Sequence, residues 1–188
     1  MKLKQKLPIN SSVNSQKVLR ETDGFSQELV SLIISPNSQK MSVLRNNQLL
    51  VEYTISTAAN GLGEQKNSFK TPRGWHMVRA KVGAEHPINA VFVERRFTGE
   101  IYSPELNSKF PDRDWILTRI LWLSGLELGF NRLGAVDTMQ RFIYIHGSPD
   151  ERPVGQPTSR GCVRMRNKDI IELFDLVPYG TKVLIEDM

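Results

Sequence analysis

The sequence has little cysteine and no long apolar run, and both shortages exclude structural classes. Cys162 is the only cysteine among 188 residues, so no internal disulfide can hold the fold together. No segment approaches the roughly 18 consecutive apolar residues of a membrane-spanning helix, so we expect no membrane span. Hydrophobic residues nevertheless make up 39% of the chain, which is enough for a folded core.

The first thirty residues lack the features of a secretory signal. Lys2 and Lys4 are followed by polar residues instead of the roughly 7–15 apolar residues of a signal peptide. The first apolar run, residues 29–34, is short and is interrupted by Ser31. We therefore expect a cytoplasmic protein, whereas a native leader missing from this sequence would indicate the periplasm.

The charge does not indicate a nucleic-acid partner. The net charge is +5 and the sequence pI is about 9.4, but the positive residues are scattered. The chain has no block of five or six Lys and Arg residues, and no continuous basic stripe of the kind that binds phosphates. We therefore expect no binding to nucleic acid.

The length predicts one domain preceded by an arm. Residues 1–28 are polar and weakly patterned, and we interpret them as an N-terminal arm with one short helix near residues 16–21. Residues 29–188 carry the strand and helix patterns of the folded domain.

Short β-rich runs separated by turn residues dominate the domain and predict a mainly β, β-rich α+β fold. The strand candidates are ELVSLIIS, MSVLR, LLVEYTIST, TPRGWHMVRAKVG, AVFVERRF, RILWLSGLEL, RFIYIHGS and YGTKVLIEDM. Residues 98–115 contain two prolines and little periodicity, so we expect an irregular insertion that forms a lid or a cleft wall.

One helix is predicted near the C-terminus, in NKDIIELFDLV at residues 167–177. Asn167 is the expected N-cap, and Asp169 suits the first turn of a helix. The apolar residues fall at helical spacing and form one stripe, which consists of Ile170, Ile171, Leu173, Phe174 and Val177.

A single loop holds the cysteine and one of the three histidines, in IHGSPDERPVGQPTSRGCVRMRN at residues 145–167. A thiol with an ordinary pKa of about 8.5 is mostly protonated at neutral pH, and a neighbouring imidazole can accept its proton. His146 ends a predicted strand and Cys162 precedes the predicted helix, so the loop can bring a nucleophile and a base together. Gly161 permits a tight turn whose amides can bind an oxyanion, a requirement of acyl transfer.

Other interpretations of these two residues remain open at this point. A lone cysteine commonly behaves as a small buried apolar residue, and a lone histidine at a strand end is often structural. Metal binding is not predicted, because Cys162, His76, His86 and His146 show no paired ligand spacing.

The context of the loop resembles the signature of the YkuD family, the L,D-transpeptidase catalytic domain. The family pattern is His-Gly-Ser/Thr, a short loop, then Ser-His-Gly-Cys, an apolar residue, and Arg or Asn; here the elements are HGS at 146–148 and SRGCVR at 159–164. Residues 55–76 resemble the family's Ser-Thr-Gly and Lys-Thr-Pro segment, and residues 167–185 resemble its closing helix and strand. The resemblance covers roughly residues 29–185, with one departure: Arg160 stands where the family often has His.

The resemblance implies a YkuD-like β-sandwich with few helices, one of which follows the catalytic cysteine. It also implies a cysteine enzyme, without a cofactor, whose partner is a peptidoglycan stem tetrapeptide or muropeptide. Cys162 would attack the carbonyl of the third stem residue, commonly meso-diaminopimelate, and release D-Ala. His146 would move the proton, oriented by the backbone carbonyl of Gly147.

The remaining candidate site residues lie close to the cysteine in sequence. The backbone amides of Gly161 and Cys162 are the expected oxyanion donors. Arg164 is the first candidate for a substrate contact, followed by Arg160 and Ser159. A cation at position 160 can either favour the thiolate or hold a substrate carboxylate, and a solvated loop arginine is an equal alternative.

The motif does not fix the acyl acceptor. Attack by an amine would give 3→3 cross-links or D-amino acid exchange, and attack by water would give a tripeptide. Since the sequence shows no leader, we expect a cytoplasmic L,D-carboxypeptidase that trims recycled tetrapeptide, with a periplasmic L,D-transpeptidase as the alternative. A non-catalytic peptidoglycan-binding module is a distant alternative, because nucleophile and base are both present. The resemblance further implies that carbapenems acylate Cys162.

Overall fold

The computed structural model describes residues 29–187, which form ten β-strands and two α-helices. The expected arm at residues 1–28 and its short helix lie outside the described residues. Within residues 29–187, no helix is long and apolar enough to cross a membrane. The strands are β1 (Val30–Ser35), β2 (Lys40–Arg45), β3 (Gln48–Thr54), β4 (Gly74–Val82), β5 (Ala90–Val93), β6 (Arg96–Ile101), β7 (Ile116–Gly125), β8 (Tyr144–Ser148), β9 (Val163–Arg166) and β10 (Lys182–Ile185). The helices are α1 (Pro104–Lys109) and α2 (Asn167–Leu176), with a short 3-10 helix at Gly134–Val136.

All ten strands belong to one curled sheet, whose main path runs β3-β2-β1-β10-β4-β7-β5-β6. The long strand β7 is the branch point. β4 and β5 pair with one edge of β7, at residues 120–125 and 116–117, while β8 pairs with the other edge. β9 extends this branch by pairing in parallel with β8. The predicted mainly β fold with few helices is confirmed.

The branch that carries β8 and β9 is held in place by α2. This helix packs against β7, β8 and β9. Four residues of the predicted stripe are buried, namely Ile170, Leu173, Phe174 and, just after the helix, Val177, while Ile171 is only partly buried. Each buried aliphatic side chain of this size contributes about 1.5–3 kcal/mol relative to an exposed one. The helix therefore anchors the two strands that flank the cysteine loop.

The start of α2 differs from the prediction in two ways. Arg166 occupies the N-cap position, so the expectation that Asn167 caps the helix is wrong. Asn167 is the first helical residue and is buried, where its side chain bonds to neighbouring strands instead of its own helix. In addition, Cys162 does not directly precede the helix, because the short strand β9 lies between them.

The run AVFVERRF is a hairpin, so the prediction of a single strand there is wrong. β5 and β6 are joined at Glu94 and Arg95, whose φ angles are 47° and 69°. Two-residue hairpin turns with positive φ usually contain Gly, Asn or Asp. Because neither residue is of that kind, the turn left no signal in the sequence.

Residues 98–115 are more regular than expected, since they contain the end of β6 and the helix α1. Ser103 is the N-cap of α1, and its hydroxyl accepts a 3.2 Å hydrogen bond from the amide of Leu106. Pro104 occupies the first turn, where a missing amide proton costs nothing. The Ser-Pro pair is thus a helix-start signal, and the two prolines alone did not justify an irregular segment.

Candidate active site

The two ends of the cysteine loop return to adjacent strands. β8 and β9 pair in parallel, with Ile145 opposite Val163 and His146 opposite Arg164. Side chains alternate between the two faces of a strand, so His146 and Arg164 lie on one face of this pair. Cys162, one residue before β9, lies on the same face, because it packs with Tyr144 in an apolar cluster. The pairing therefore places the thiol and the imidazole on one face of adjacent strands.

The sulfur of Cys162 is surrounded by backbone groups. The amide of Tyr144 donates to the sulfur at 3.4 Å, and the thiol donates to the carbonyl of Phe142 at 3.4 Å. The residue keeps partial exposure, yet dense packing around the sulfur raises the pKa of the thiol to about 12. The Tyr144 amide and the cations of Arg141 and Arg164 oppose this increase. The thiol is therefore protonated in the resting enzyme.

His146 is buried, and burial lowers its pKa below the ordinary value of 6.5. Its Nδ1 lies 2.8 Å from the carbonyl oxygen of Gly147. Since a carbonyl only accepts, Nδ1 carries the proton, and Nε2 of the neutral ring has a free lone pair. This is the contact that the family resemblance implies for Gly147. Nε2 is thereby prepared to accept a proton.

A compact turn presents the cysteine. Gly161 has a φ of 126°, in a region that L side chains rarely adopt. The hydroxyl of Ser159 donates to the carbonyl of Cys162 at 2.5 Å and accepts from the amide of Gly161 at 3.2 Å. Ser159 is therefore engaged within the turn, although the sequence placed it among the substrate contacts. Of the two expected oxyanion amides, that of Gly161 is used by Ser159, while that of Cys162 has no acceptor within residues 29–187.

The turn is held from outside by the segment that follows β3. Thr71 is fully buried, and its hydroxyl donates to the carbonyl of Gly161 at 2.9 Å. The same hydroxyl accepts a 2.9 Å hydrogen bond from the amide of Ala58. The backbone of Ser159 bonds to Thr57 and Ala59 on the same segment. The Lys-Thr-Pro element of the sequence therefore supports the cysteine turn.

The two candidate substrate arginines lie in different surroundings. Arg164 is buried, donates to the hydroxyl of Thr158, and leaves its Nε without an acceptor within the described residues. Burial lowers the pKa of its guanidinium. Arg160 is exposed and lines a cavity of about 190 Å³ together with Lys66 and Arg141.

Sequence reasoning missed Arg141, which lies near the thiol. Its guanidinium donates to the carbonyls of Gly63 and Lys70, at 3.1 and 2.6 Å, and to the hydroxyl of Ser68 at 3.3 Å. Burial lowers the pKa of Arg141, and its charge reaches Cys162. Nothing in the local sequence marks this arginine, because its position depends on contacts with residues about seventy positions away.

Residues 98–115 contact the cysteine loop. The hydroxyl of Tyr102 donates to Glu151 at 3.3 Å, and Arg152 donates to the carbonyl of Arg113 at 2.8 Å. Asp114 lies 3.7 Å from Arg152, and its negative charge reaches both catalytic candidates. The cleft-wall interpretation of this segment is consistent with these contacts.

A buried polar network supports the end of β8. The Oδ1 of Asn167 accepts a 2.6 Å hydrogen bond from Thr118, and its Nδ2 donates to the carbonyl of Ser148 at 3.0 Å and to Asn89 at 2.8 Å. Gly147 packs directly against this amide, and a Cβ there would lie 2.4 Å from the Asn167 oxygen. The network thus restricts the backbone that carries the carbonyl partner of His146.

Comparison with known proteins agrees with this architecture. The family model described as YkuD, the L,D-transpeptidase catalytic domain, matches residues 30–185. The chain is 28% identical over 156 residues to the putative L,D-transpeptidase YqjB of Bacillus subtilis, which covers 83% of this chain and 70% of that relative. It is 51% identical over 41 residues to the putative L,D-transpeptidase YkuD of the same organism, which covers 22% of this chain and 25% of that relative.

Solved structures of similar fold include L,D-transpeptidase 3 from Mycobacterium tuberculosis in complex with a faropenem-derived adduct. The TM-score is 0.53 at 14% sequence identity, and the match covers 85% of this chain and 61% of that chain. At this identity the likeness concerns the fold alone. The chain spans less than two thirds of the solved protein.

Proposed function

The chain belongs to the YkuD family of L,D-transpeptidase catalytic domains and is a cysteine enzyme of that family, and from this premise we propose that it cleaves the L,D bond between the third residue and D-Ala of peptidoglycan stem tetrapeptides. The parallel pairing of β8 with β9 carries the proposal, because it puts Cys162 and His146 on one face of adjacent strands. Peptidoglycan as substrate is consistent with the family.

The proposed reaction begins from a neutral pair. Burial raises the pKa of the Cys162 thiol and lowers the pKa of His146, so the resting state is thiol plus imidazole and not thiolate plus imidazolium. Nε2 of His146 removes the thiol proton as the sulfur attacks the carbonyl of the third stem residue. The C–N bond to D-Ala then breaks, the imidazolium protonates the departing amine, and a thioester remains on Cys162.

The free amide of Cys162 is the first proposed oxyanion donor. It donates to no acceptor within residues 29–187, so it is available to the negative oxygen of the tetrahedral intermediate. The amide of Gly161 would have to exchange its 3.2 Å bond to Ser159 for the oxyanion. Arg164 is the first proposed substrate contact, since a buried guanidinium with an unpaired Nε favours an acceptor from the ligand.

We propose water as the principal acyl acceptor, which makes the protein an L,D-carboxypeptidase that converts tetrapeptide into tripeptide. Cys162 keeps partial exposure as a residue, which is compatible with attack by water without a second peptide being bound. The alternative is an L,D-transpeptidase that passes the acyl group to an amine, and the family name favours it. The identity of the acceptor is also linked to the cellular location. Hydrolysis suits soluble recycled peptides in the cytoplasm, whereas cross-linking requires polymeric peptidoglycan outside the membrane.

The test is incubation of purified protein with disaccharide tetrapeptide, with and without an added amine acceptor, followed by mass spectrometry of the products. The expected product in both arms is disaccharide tripeptide. Dominant dimer or amine adduct with little tripeptide would indicate transpeptidation in place of hydrolysis. Recovery of the native protein in the periplasm would contradict the cytoplasmic location. Absence of any cleavage would overturn the proposed function.

A second test uses covalent inhibition. One solved relative of similar fold carries a faropenem-derived adduct, and we propose that β-lactams such as carbapenems acylate Cys162 here. Intact-protein mass spectrometry should show a single adduct on the wild-type chain and none on Cys162→Ala. An unmodified wild-type protein after prolonged incubation would contradict this expectation.

A further inference from the structure

A small cationic cavity lies beside the cysteine turn. Its volume is about 190 Å³, which is below the roughly 300–1,000 Å³ of pockets for drug-sized ligands and suits a single amino-acid residue. Three cations and three apolar side chains contribute to its lining: Lys66, Arg141, Arg160, Phe69, Phe142 and Ile143. We call this site the cationic pocket.

The cationic pocket is adjacent to the sulfur. The carbonyl of Phe142, a lining residue, accepts the Cys162 thiol at 3.4 Å. Ile143, another lining residue, packs against the turn, since its Cδ1 would lie 3.2 Å from a Cβ placed on Gly161. Arg160 precedes Cys162 by two residues. A group bound in this pocket would therefore lie beside a peptide whose carbonyl is attacked by the sulfur.

The charge of the cationic pocket is not neutralised within residues 29–187. No acidic residue lines it, and none of its three cations forms an ion pair there. Glu64, whose charge reaches Arg141, is itself paired with Arg73 at 2.8 Å. The guanidinium of Arg141 donates only to neutral carbonyl and hydroxyl oxygens. A half-buried cation without a counter-charge is costly, and an anionic ligand would remove that cost.

We propose that the cationic pocket binds the terminal carboxylate of the position-four D-Ala, the leaving group of the reaction; this inference rests on the proposed function. In a tetrapeptide that carboxylate lies one residue beyond the attacked carbonyl, and the pocket shares Phe142 with the surroundings of the sulfur. Arg141 is fixed by its three hydrogen bonds, while Arg160 and Lys66 are exposed and can close on the carboxylate. Their charges select a free carboxylate at position four over an uncharged group.

The test compares two substrates in four proteins. The substrates are a stem tetrapeptide with a free D-Ala carboxylate and the same peptide ending in D-Ala carboxamide. The proteins are the wild type, Arg160→Gln, Lys66→Gln and the control Lys182→Gln, in which an exposed lysine of β10 is neutralised. The ratio of kcat/KM for the two substrates is measured, so any effect of a cation on the thiol itself cancels.

The wild type should favour the free carboxylate by about tenfold or more, as expected for charge-assisted hydrogen bonds. Arg160→Gln and Lys66→Gln should each lose most of that preference, because cleavage of the acid slows more than cleavage of the carboxamide. Lys182→Gln should keep the wild-type ratio. Equal cleavage of both substrates by the wild type, or an unchanged ratio in both pocket variants, overturns the inference alone. Failure of the wild type to cleave either peptide overturns the proposed function, and the inference falls with it.

Discussion

The hydroxyl of Thr71 donates a 2.9 Å hydrogen bond to the carbonyl of Gly161, which is ninety positions away in the chain. Gly161 is the residue before the cysteine, and its φ of 126° sets the direction of the turn. Thr71 also accepts from the amide of Ala58, so one buried hydroxyl satisfies two backbone groups. This contact gives a physical reason why a Thr-Pro element and a Gly-Cys element occur together in one sequence.

Replacing Thr71 by Val should weaken both the fold and the turn. Valine has a similar shape but leaves a buried carbonyl and a buried amide without partners, which costs about 1–3 kcal/mol for each group left unpaired. We expect a lower free energy of unfolding in urea and a reduced kcat. Thr71→Ser keeps the hydroxyl and serves as the matched control, with smaller losses in both measurements. Equal stability and turnover of the Val and Ser variants would contradict the role of the hydroxyl.

Removing the thiol should abolish turnover without unfolding the protein. Cys162→Ala deletes the nucleophile, and loss of covalent catalysis should reduce cleavage of tetrapeptide by several orders of magnitude. Because Cys162 is only partly buried at the edge of an apolar cluster, the thermal melting curve should change little. Cys162→Ser retains the size of the side chain and should be similarly inactive. Residual turnover near the wild-type rate in either variant would remove the mechanism.

Much of the site was predictable because it is local in sequence. HGS at 146–148 and SRGCVR at 159–164 identify the cysteine and the histidine, and the strand that ends in His146 is visible as the β-rich run RFIYIHGS. The helix after the loop was predictable from the helical spacing of Ile170, Leu173 and Phe174. In each case one short segment carries the whole signal.

The missed features depend on contacts between distant segments. Arg141 is placed by the carbonyls of Gly63 and Lys70, and no local pattern reports such bonds. Asparagine is a common N-cap residue, which is why Asn167 was predicted to cap the helix. Its side chain is instead buried beside Thr118 and accepts a hydrogen bond from that hydroxyl. Strand β9 is only four residues long, and its pairing with β8 defines it more than its own sequence does.

Introducing a methyl group at Gly147 should destabilise the protein. A Cβ there would lie 2.4 Å from the Asn167 Oδ1 and 2.8 Å from the carbonyl oxygen of Leu117, so close approach and not backbone conformation demands glycine. Overpacking of this kind costs about 1–3 kcal/mol. Urea unfolding of Gly147→Ala should show this loss, with kcat reduced further because the carbonyl that orients His146 shifts. Stability equal to that of the wild type would show that β8 can move away from α2 freely.

His76 should make the fold sensitive to acid. It is fully buried in β4, with Nδ1 2.9 Å from the carbonyl of Gly74 and Nε2 3.0 Å from the hydroxyl of Thr138, and burial lowers its pKa from 6.5 to about 4. The unfolded chain therefore binds a proton that the folded chain rejects, and stability falls as the pH drops from 6.5 towards 4. The loss should approach roughly 3 kcal/mol. In His76→Gln, urea unfolding should show a shallower pH dependence over this interval, and an identical dependence would contradict the assignment.

The neutral state of the catalytic pair should be visible in two pH profiles. His146 must be unprotonated to accept the thiol proton, and burial lowers its pKa below 6.5, so kcat/KM should persist as the pH falls below that value. The pKa of Cys162 is raised to about 12, so labelling of the free enzyme by iodoacetamide should keep rising above pH 9. A preformed thiolate–imidazolium pair would instead give labelling that levels off near neutral pH.

The variant His146→Ala separates turnover from thiol labelling, because it removes the base required for turnover while the thiol still ionises at high pH. Turnover of His146→Ala at the wild-type rate, or a labelling plateau below pH 9 in the wild type, would contradict proton transfer during attack.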